Sequence, residues 1–436
     1  MSEWEEKYLS EVADIRVSNV DKKIYPNKSL VKLCNYMDVY SNDYISSTIS
    51  FTVGSADANE IARFGLLKDD VIITKDSETP EDIAVSAVVK EEIKELVCGY
   101  HLAIIRPNRN EIDGTFLMLK LKSEELKSYF LGAAKGSTRF GLSIGDIENA
   151  KIKYPQYQVQ QKIAKILTTC DAVIEKTKAT IAKYKATKQG MLQDLFTRGI
   201  DMQTGKLRPS CEDEPELYKK SKLGWIPREW DEKVIDNIAK VNGRVGWKGY
   251  TVADLREFGP LALGATHIDK ENKLDLTNPI HLSMEKYLES PEIMVQFGDV
   301  LIVQRGTIGK IVIVDREIGD ATINPSMVLL NYITINNFFF YYQLCSFIGQ
   351  RQIENFTSQT GVPMISQEQI KNIKLGLPKN PNETDAIGER LKAIDSNILN
   401  EQSYLQKMQQ VKKGLMEDLL GGKKKVKMDS LCHTNS

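Results

Sequence analysis

Cysteine is scarce in this sequence, and what there is lies apart: the six residues at 34, 98, 170, 211, 345 and 432 form no CxxC pair, and the four histidines are far from one another. The usual zinc-ligand spacings are therefore excluded, no metal is expected, and unpaired thiols fit a reducing compartment. Long apolar runs are missing as well. The most apolar stretch, Phe338 to Ile348, is about half the length that spans a bilayer, and the N-terminal MSEWEEKYLS is charged. The expectation is a cytoplasmic protein without membrane contact. Nor is one charge sign in excess: 58 Lys plus Arg stand against 59 Asp plus Glu. Affinity for a polyanion would have to come from local patches.

Catalytic signatures are absent too. An adenine methyltransferase clamps the amino group of a flipped base with an Asn-Pro-Pro-aromatic element, but the Asn-Pro dipeptides at Asn278, Asn324 and Asn380 lack the second proline and the aromatic. No F-x-G-x-G segment for a methyl donor occurs. A phosphate-cradling G-x-x-x-x-G-K-[ST] loop is missing, because Gly205-Lys206 and Gly309-Lys310 are followed by Leu207 and Ile311. The carboxylate-x-lysine triplets Glu92-Ile93-Lys94 and Asp231-Glu232-Lys233 have no Pro-Asp partner at a nuclease-like distance, and read as solvated charge. With no Ser or Cys nucleophile motif matched to the few histidines, neither a catalytic residue nor a cofactor is expected. Binding remains.

What is present is a duplication. Residues 160–196 match 384–420 at a constant offset of 224, with Asp171 on Asp395, Gly190 on Gly414 and Asp194 on Asp418. Upstream, Ser143, Ile147 and Pro155 fall on Ser366, Ile370 and Pro378, and Gly136 falls on Gly361. The halves also begin alike, EWEEKYLSEVADI from Glu3 and EWDEKVIDNIAKV from Glu229, and Lys68-Asp69-Asp70-Val71 corresponds to Phe297-Gly298-Asp299-Val300. A repeat of this size sets the architecture.

Each half reads as short β-branched runs, such as Val71 to Thr74 and Val300 to Val303, followed by one long helix. In the first helix apolar positions recur at spacings of four and three through Ile163, Leu167, Cys170, Ile174, Thr177, Ile181, Tyr184, Lys188, Met191 and Leu195. The second repeats them as Ile387, Leu391, Ile394, Ile398, Glu401, Leu405, Met408, Lys412, Leu415 and Leu419. A proline-free heptad of this length specifies a coiled-coil seam, and the simplest partner of each helix is the other one. The coincident polar breaks suit a pseudo-twofold pair. The plainer alternative is that each stripe packs on its own domain, although a surface helix usually has a wider apolar face. About 36 residues at 1.5 Å make a rod of roughly 50 Å.

The fold class expected is α+β: two similar mixed α/β domains separated by two long antiparallel coiled-coil helices, with a pseudo-twofold internal repeat. The boundaries are a first domain over 1–155, a central helix over 156–198, a turn-rich charged linker over 199–224, a second domain over 225–378, a distal helix over 379–422 and a basic, disordered tail over 423–436.

At this point the arrangement resembles the specificity subunits of type I restriction-modification systems, over essentially all of residues 1–422. The family typically shows a T-x-G-I segment followed by G-x-I-P-x-x-W, and here Thr197-Arg198-Gly199-Ile200 precedes Gly224-Trp225-Ile226-Pro227-Arg228-Glu229-Trp230. The family's Leu-Pro-Pro element and EQ pair are represented by Tyr154-Pro155-Gln156 with Gln160, and by Leu377-Pro378 with Glu383-Thr384. Val159 and Thr384 depart from the pair. The resemblance implies a non-catalytic subunit whose two target recognition domains read a split, asymmetric sequence in double-stranded DNA. Methyltransferase (M) subunits would dock on its helices and motor-nuclease (R) subunits would join them, so that adenine methylation or restriction is directed to the target. Two other readings are a helical scaffold for other subunits without DNA reading, and a nuclease of unfamiliar motif.

Loops carried by a rigid scaffold are where DNA-reading residues are expected. After the first strand of each half come Lys22, Lys23 and Tyr25 (with Lys28), and Arg244, Trp247 and Lys248, basic and aromatic side chains suited to phosphates. After the next come Asn35 and Tyr36, and Thr266 and His267, short polar groups able to reach base edges. The third pair follows the Asp-Val strands, Lys75 in one half and Arg305, Gly306 and Thr307 in the other. The turns bearing Arg139 and Thr360 complete the set.

Overall fold

The structure is a computed structural model that describes residues 4–244, 249–357 and 364–426. The chain divides into two compact units: residues up to Lys178 together with those from Tyr404 onward, and Ala179–Ser403. Each unit holds one mixed α/β domain with half of each long helix, so the division falls within the helices rather than at their ends.

In unit 1 a five-stranded sheet has the order Ala13–Val17, Leu102–Pro107, Val71–Thr74, Ser86–Val89, Tyr44–Ile45. In unit 2 a four-stranded antiparallel sheet has the order Lys240–Gly243, Met327–Asn331, Val300–Val303, Ile311–Ile313. Each is accompanied by a three-stranded sheet, Thr52–Ala56 with Ser29–Cys34 and Leu96–Cys98 in unit 1, and His281–Leu282 with Leu255–Leu263 and Ala321–Ile323 in unit 2.

The β-branched runs behave alike in both. Every side chain of Val71–Thr74 and of Val300–Val303 is buried, because the strand's two-residue period feeds two cores, one on each face. Val71 and Ile73 enter one cluster and Ile72 the other; likewise Val300 and Ile302 part from Leu301 and Val303. The turn before each strand is left-handed, at Asp69 with φ +70° and at Gly298 with φ +88°. The duplication thus extends to backbone conformation, although only the second copy carries the residue that adopts it freely.

The central helix spans Tyr157–Thr197 and the distal helix Pro381–Leu420. In unit 1, Ile163, Leu167 and Leu419 join the domain core, and in unit 2 Leu195, Ile387 and Leu391 do the same. Ile174, Ile181 and Ile398 are buried between these ends, and Leu405 is half-buried. The outer ends of the seam are therefore domain core.

Buried polar side chains anchor the helix starts. Gln160 is fully buried; its Nε2 donates to the Pro155 and Glu111 carbonyls at 2.8 and 2.9 Å, and its Oε1 accepts the Asp113 N–H at 2.9 Å. Glu383 accepts from Ile200 N–H at 2.8 Å and Trp230 Nε1 at 3.1 Å, and is ion-paired with the Arg208 guanidinium. The 199–224 linker is consequently ordered structure of unit 2 rather than irregular chain. It forms the hairpins Ile200–Asp201/Lys206–Leu207 and Tyr218–Ser221/Gly224–Pro227, and Arg208 belongs to that network. At the distal helix's end, buried Lys120 donates to the Leu420 carbonyl at 3.1 Å, a cation where the helix dipole is negative. Residues 427–436 of the tail lie outside the described residues. No helix among the described residues is long and apolar enough to cross a membrane.

Candidate nucleic-acid interface

Three loops of unit 1 converge. The helix Tyr36–Ser41 starts at Asn35, whose N–H donates to Asp38 Oδ2 at 2.8 Å. Its i, i+4 spacing puts Tyr36 and Tyr40 on one face, stacked with centroids 5.7 Å apart and planes 15° apart. The strand Val71–Thr74 continues through Lys75 into Asp76–Ser77, which pairs with Phe140–Gly141 and so brings the Arg139 turn alongside. Tyr36 Oη lies 3.2 Å from Ser77 Oγ, and Tyr40 donates to Asp82 Oδ1 at 3.2 Å. The result is a groove of about 330 Å³ lined by Tyr36, Tyr40, Asp76, Asp82, His101 and Arg139 among others.

Its electrostatics are mixed. Burial opposes ionisation of Asp76, but hydrogen bonds from Lys75 and His101 outweigh it and hold the carboxyl below its usual range. His101 Nδ1 sits 2.9 Å from Asp76 Oδ2. The Lys75 ammonium, expected among the DNA-contacting groups, is engaged by the adjacent Asp76 carboxylate. Arg139 is exposed. Carboxylates beside stacked phenols repel phosphate but accept from the exocyclic amines of cytosine or adenine, and an exposed arginine at the rim supplies the positive charge that the groove lacks.

The other unit 1 candidates form a second constellation. Lys22 and Lys23 are exposed. Tyr25 is exposed, its hydroxyl donating to Asp21 Oδ2 at 3.0 Å and its N–H to Ser55 Oγ at 2.8 Å. Lys28 covers its ring at 5.4 Å but commits its ammonium to Glu60 at 2.7 Å. Asn35 is half-buried, as expected of a helix-capping side chain.

Unit 2 requires two corrections. Arg244 is buried, its Nε donating to the Ile323 carbonyl at 2.9 Å and an Nη to Thr322 Oγ1 at 3.0 Å; it ties strands together instead of facing solvent. His267 is buried too, Nδ1 accepting the Gly264 N–H at 2.9 Å and Nε2 facing the Asn278 carbonyl at 3.3 Å. Both ring nitrogens are occupied, so no base edge can use them. A basic or polar residue after a strand looks alike in sequence whether its side chain turns out or in. Thr266, Arg305 and Thr307 are exposed. Arg305 lies beside Gly306, at φ +87°, with its Nε 3.3 Å from Met364 Sδ. Trp247, Lys248 and Thr360 lie outside the described residues.

Sequence reasoning missed Tyr40, Asp82 and His101, which complete the groove. The Tyr36/Tyr40 spacing was the one local signal; the other two arrive from separate loops.

The family described as the type I restriction modification DNA specificity domain matches residues 1–184 and 263–410. A Methanocaldococcus jannaschii protein named as the MjaX specificity subunit of a type I restriction enzyme is 26% identical over 436 residues, covering 98% of this chain and 94% of that protein. The MjaVIII type I restriction enzyme specificity subunit of the same organism is 28% identical over 319 residues, 72% of this chain and 70% of that one. Among solved structures, the S subunit of a type I restriction-modification system from M. genitalium shares the fold with a TM-score of 0.59 at 16% identity, covering 95% of this chain and 96% of that one. Two matched segments, one in each copy of the duplication and together most of the sequence, mean that the chain belongs to the type I restriction-modification DNA specificity family.

Proposed function

We propose that this chain is the non-catalytic DNA-reading subunit of a type I restriction-modification complex, recognising an asymmetric bipartite target in double-stranded DNA with one half-site per unit. Methyltransferase and motor-nuclease subunits then methylate adenine or restrict where it directs them. The observation that carries this reading is the family match to both copies of the repeat, residues 1–184 and 263–410. The two copies differ at their exposed loops, aromatic and acidic around Tyr36 and Asp82, cationic at Arg305. Unlike loops on like scaffolds suit a target whose halves differ.

The test is sequence-selective binding by the chain purified with its methyltransferase subunits, alongside methylome sequencing of cells that express the intact complex. One split, asymmetric methylated motif is the expected result. Binding without sequence preference would favour a scaffold role instead, and robust methyl transfer or metal-dependent cleavage by the chain alone would overturn the non-catalytic assignment.

A further inference from the structure

The seam lysines that interrupt the heptads are not gaps in the helix pairing. In unit 1, Lys412 on the distal helix is ion-paired with Asp171 Oδ1 on the central helix, and Tyr44 donates to Asp171 Oδ2 at 2.8 Å. In unit 2 the helices exchange roles. Lys188 Nζ on the central helix lies 2.6 Å from Asp395 Oδ1 on the distal helix, and Tyr342 donates to Asp395 Oδ2 at 2.7 Å. Lys273 approaches the same oxygen at 3.6 Å.

The aspartates are related by the sequence repeat, and so are the lysines. The tyrosines are not. Tyr44 belongs to the edge strand Tyr44–Ile45, whereas Tyr342 belongs to the helix Asn337–Cys345. Aligning that helix with Gly114–Leu121 by their N-caps, Asn336 and Asp113, puts Leu119 opposite Tyr342. Duplication alone therefore does not account for the two phenols. The same constellation is assembled twice from different parts of the domain.

Its geometry joins three bodies at one carboxylate. One oxygen is held by the opposite helix and the other by the domain, so rotation of the domain about the helices breaks a hydrogen bond, and sliding of the helices breaks an ion pair. Asp395 is 6% exposed, and a carboxylate so placed is strongly dependent on its partners. Burial first, and the neighbouring aspartate second, push both phenols well above the usual tyrosine range, so each remains a donor.

We propose that Asp171 and Asp395 are positioning residues for recognition: each fixes its domain's azimuth on the helix pair, and together they set the spacer length that the protein accepts between half-sites. This rests on the DNA-reading function proposed above.

The experiment uses the chain complexed with its methyltransferase subunits and duplexes carrying the motif with its native spacer, or with one base pair more or fewer. Tyr44→Phe and Tyr342→Phe keep the ring and remove one hydrogen bond; Asp171→Asn removes the charge. Each variant is expected to keep its half-sites while its preference for the native spacer falls about tenfold, the equivalent of one hydrogen bond to a charged group. Exchanging the pair, Asp171→Lys with Lys412→Asp, should restore the melting temperature that Lys412→Asp alone loses but not the spacer discrimination, because a lysine at 171 offers Tyr44 no carboxylate. Thermal melting establishes that the variants are folded. An unchanged spacer preference in the three variants, or equal weakening on all three duplexes, overturns the positioning role. A wild-type complex that does not distinguish the motif from a scrambled duplex overturns the DNA reading itself, and the positioning role with it.

Discussion

Arg106 forks onto Asp70, with Nε 2.8 Å from Oδ1 and an Nη 2.7 Å from Oδ2. The strand pairings align Val71 with Val300 and Ile105 with Leu330, which puts Asn331 where Arg106 stands and Asp299 where Asp70 stands. Asp299 accepts the Gln296 N–H at 2.8 Å. With asparagine in place of the arginine, burial pushes its carboxyl up to about 6.

Opposite outcomes follow from the same substitution at these two positions. A carboxyl raised above its unfolded value of about 3.9 binds more protons in the folded state, so its contribution is intact below about pH 4 and is lost as pH rises through about 6. Asp299→Asn should therefore raise stability at pH 7 by about 2 kcal/mol and have little effect at pH 4. Asp70→Asn should lower it by about 3 kcal/mol at pH 7, because it strands a guanidinium in a partly buried site. Denaturant unfolding at the two pH values measures both.

Glu383 concentrates four donors from Ile200, Arg208 and Trp230, so Glu383→Gln should destabilise unit 2 by about 3 kcal/mol by leaving buried Arg208 with only the exposed Glu229 as counter-charge. Pairing it with Arg208→Met should recover part of that loss, since a buried ion pair replaced as a whole costs less than one broken. A double-mutant cycle on thermal unfolding gives the coupling; additivity of the two changes would contradict the network.

Arg305 and Arg139 are exposed on different units, and their substitutions should act on different half-sites. Arg305→Ala is expected to cost about 1 to 3 kcal/mol of binding and to relax one base position. Arg139→Ala should leave that half-site unchanged. Affinities for a panel of single-base variants at several salt concentrations separate the roles. Uniform weakening with a salt dependence shallower by about one counterion would make Arg305 a phosphate contact, and no change would remove its loop from the interface.

The parts legible in sequence were those with a period. The strand Val71–Thr74 and its copy, the long helices and the seam from Ile163 to Leu419 carry their burial in their spacing, and the 224-residue offset ties the copies together. The site was legible only as a set of loops. Arg244 and His267 satisfy partners such as Ile323 and Asn278 that no local pattern announces, and Lys75 meets its carboxylate at the next residue but shows it only once the chain has turned. The linker misled for a related reason: its charge and turns hid Arg208, whose partner Glu383 lies 175 positions away. The coincident breaks at Lys188 and Lys412 were visible, but the spacing did not announce that each lysine meets the other helix's aspartate.

That exchange makes the seam sensitive to how it is lengthened. The two ion pairs bracket Ala182, with Asp171 before it and Lys188 after it on the central helix. Inserting four residues between Ala182 and Lys183 displaces everything beyond by about 6 Å along the axis, so the two pairs cannot both stay in register while the distal helix keeps its length. That variant should melt earlier and discriminate spacers poorly. Inserting seven residues there, together with seven between Asn400 and Glu401 on the distal helix, keeps the heptad phase in both. Both ion pairs can then re-form, and the helices grow by about 10 Å, roughly three base pairs of duplex. The doubly lengthened protein should retain its melting temperature and both half-sites, and its methylome motif should carry a spacer longer by about three base pairs. Unaltered half-sites with an unchanged spacer would show that the helices do not measure the distance between them.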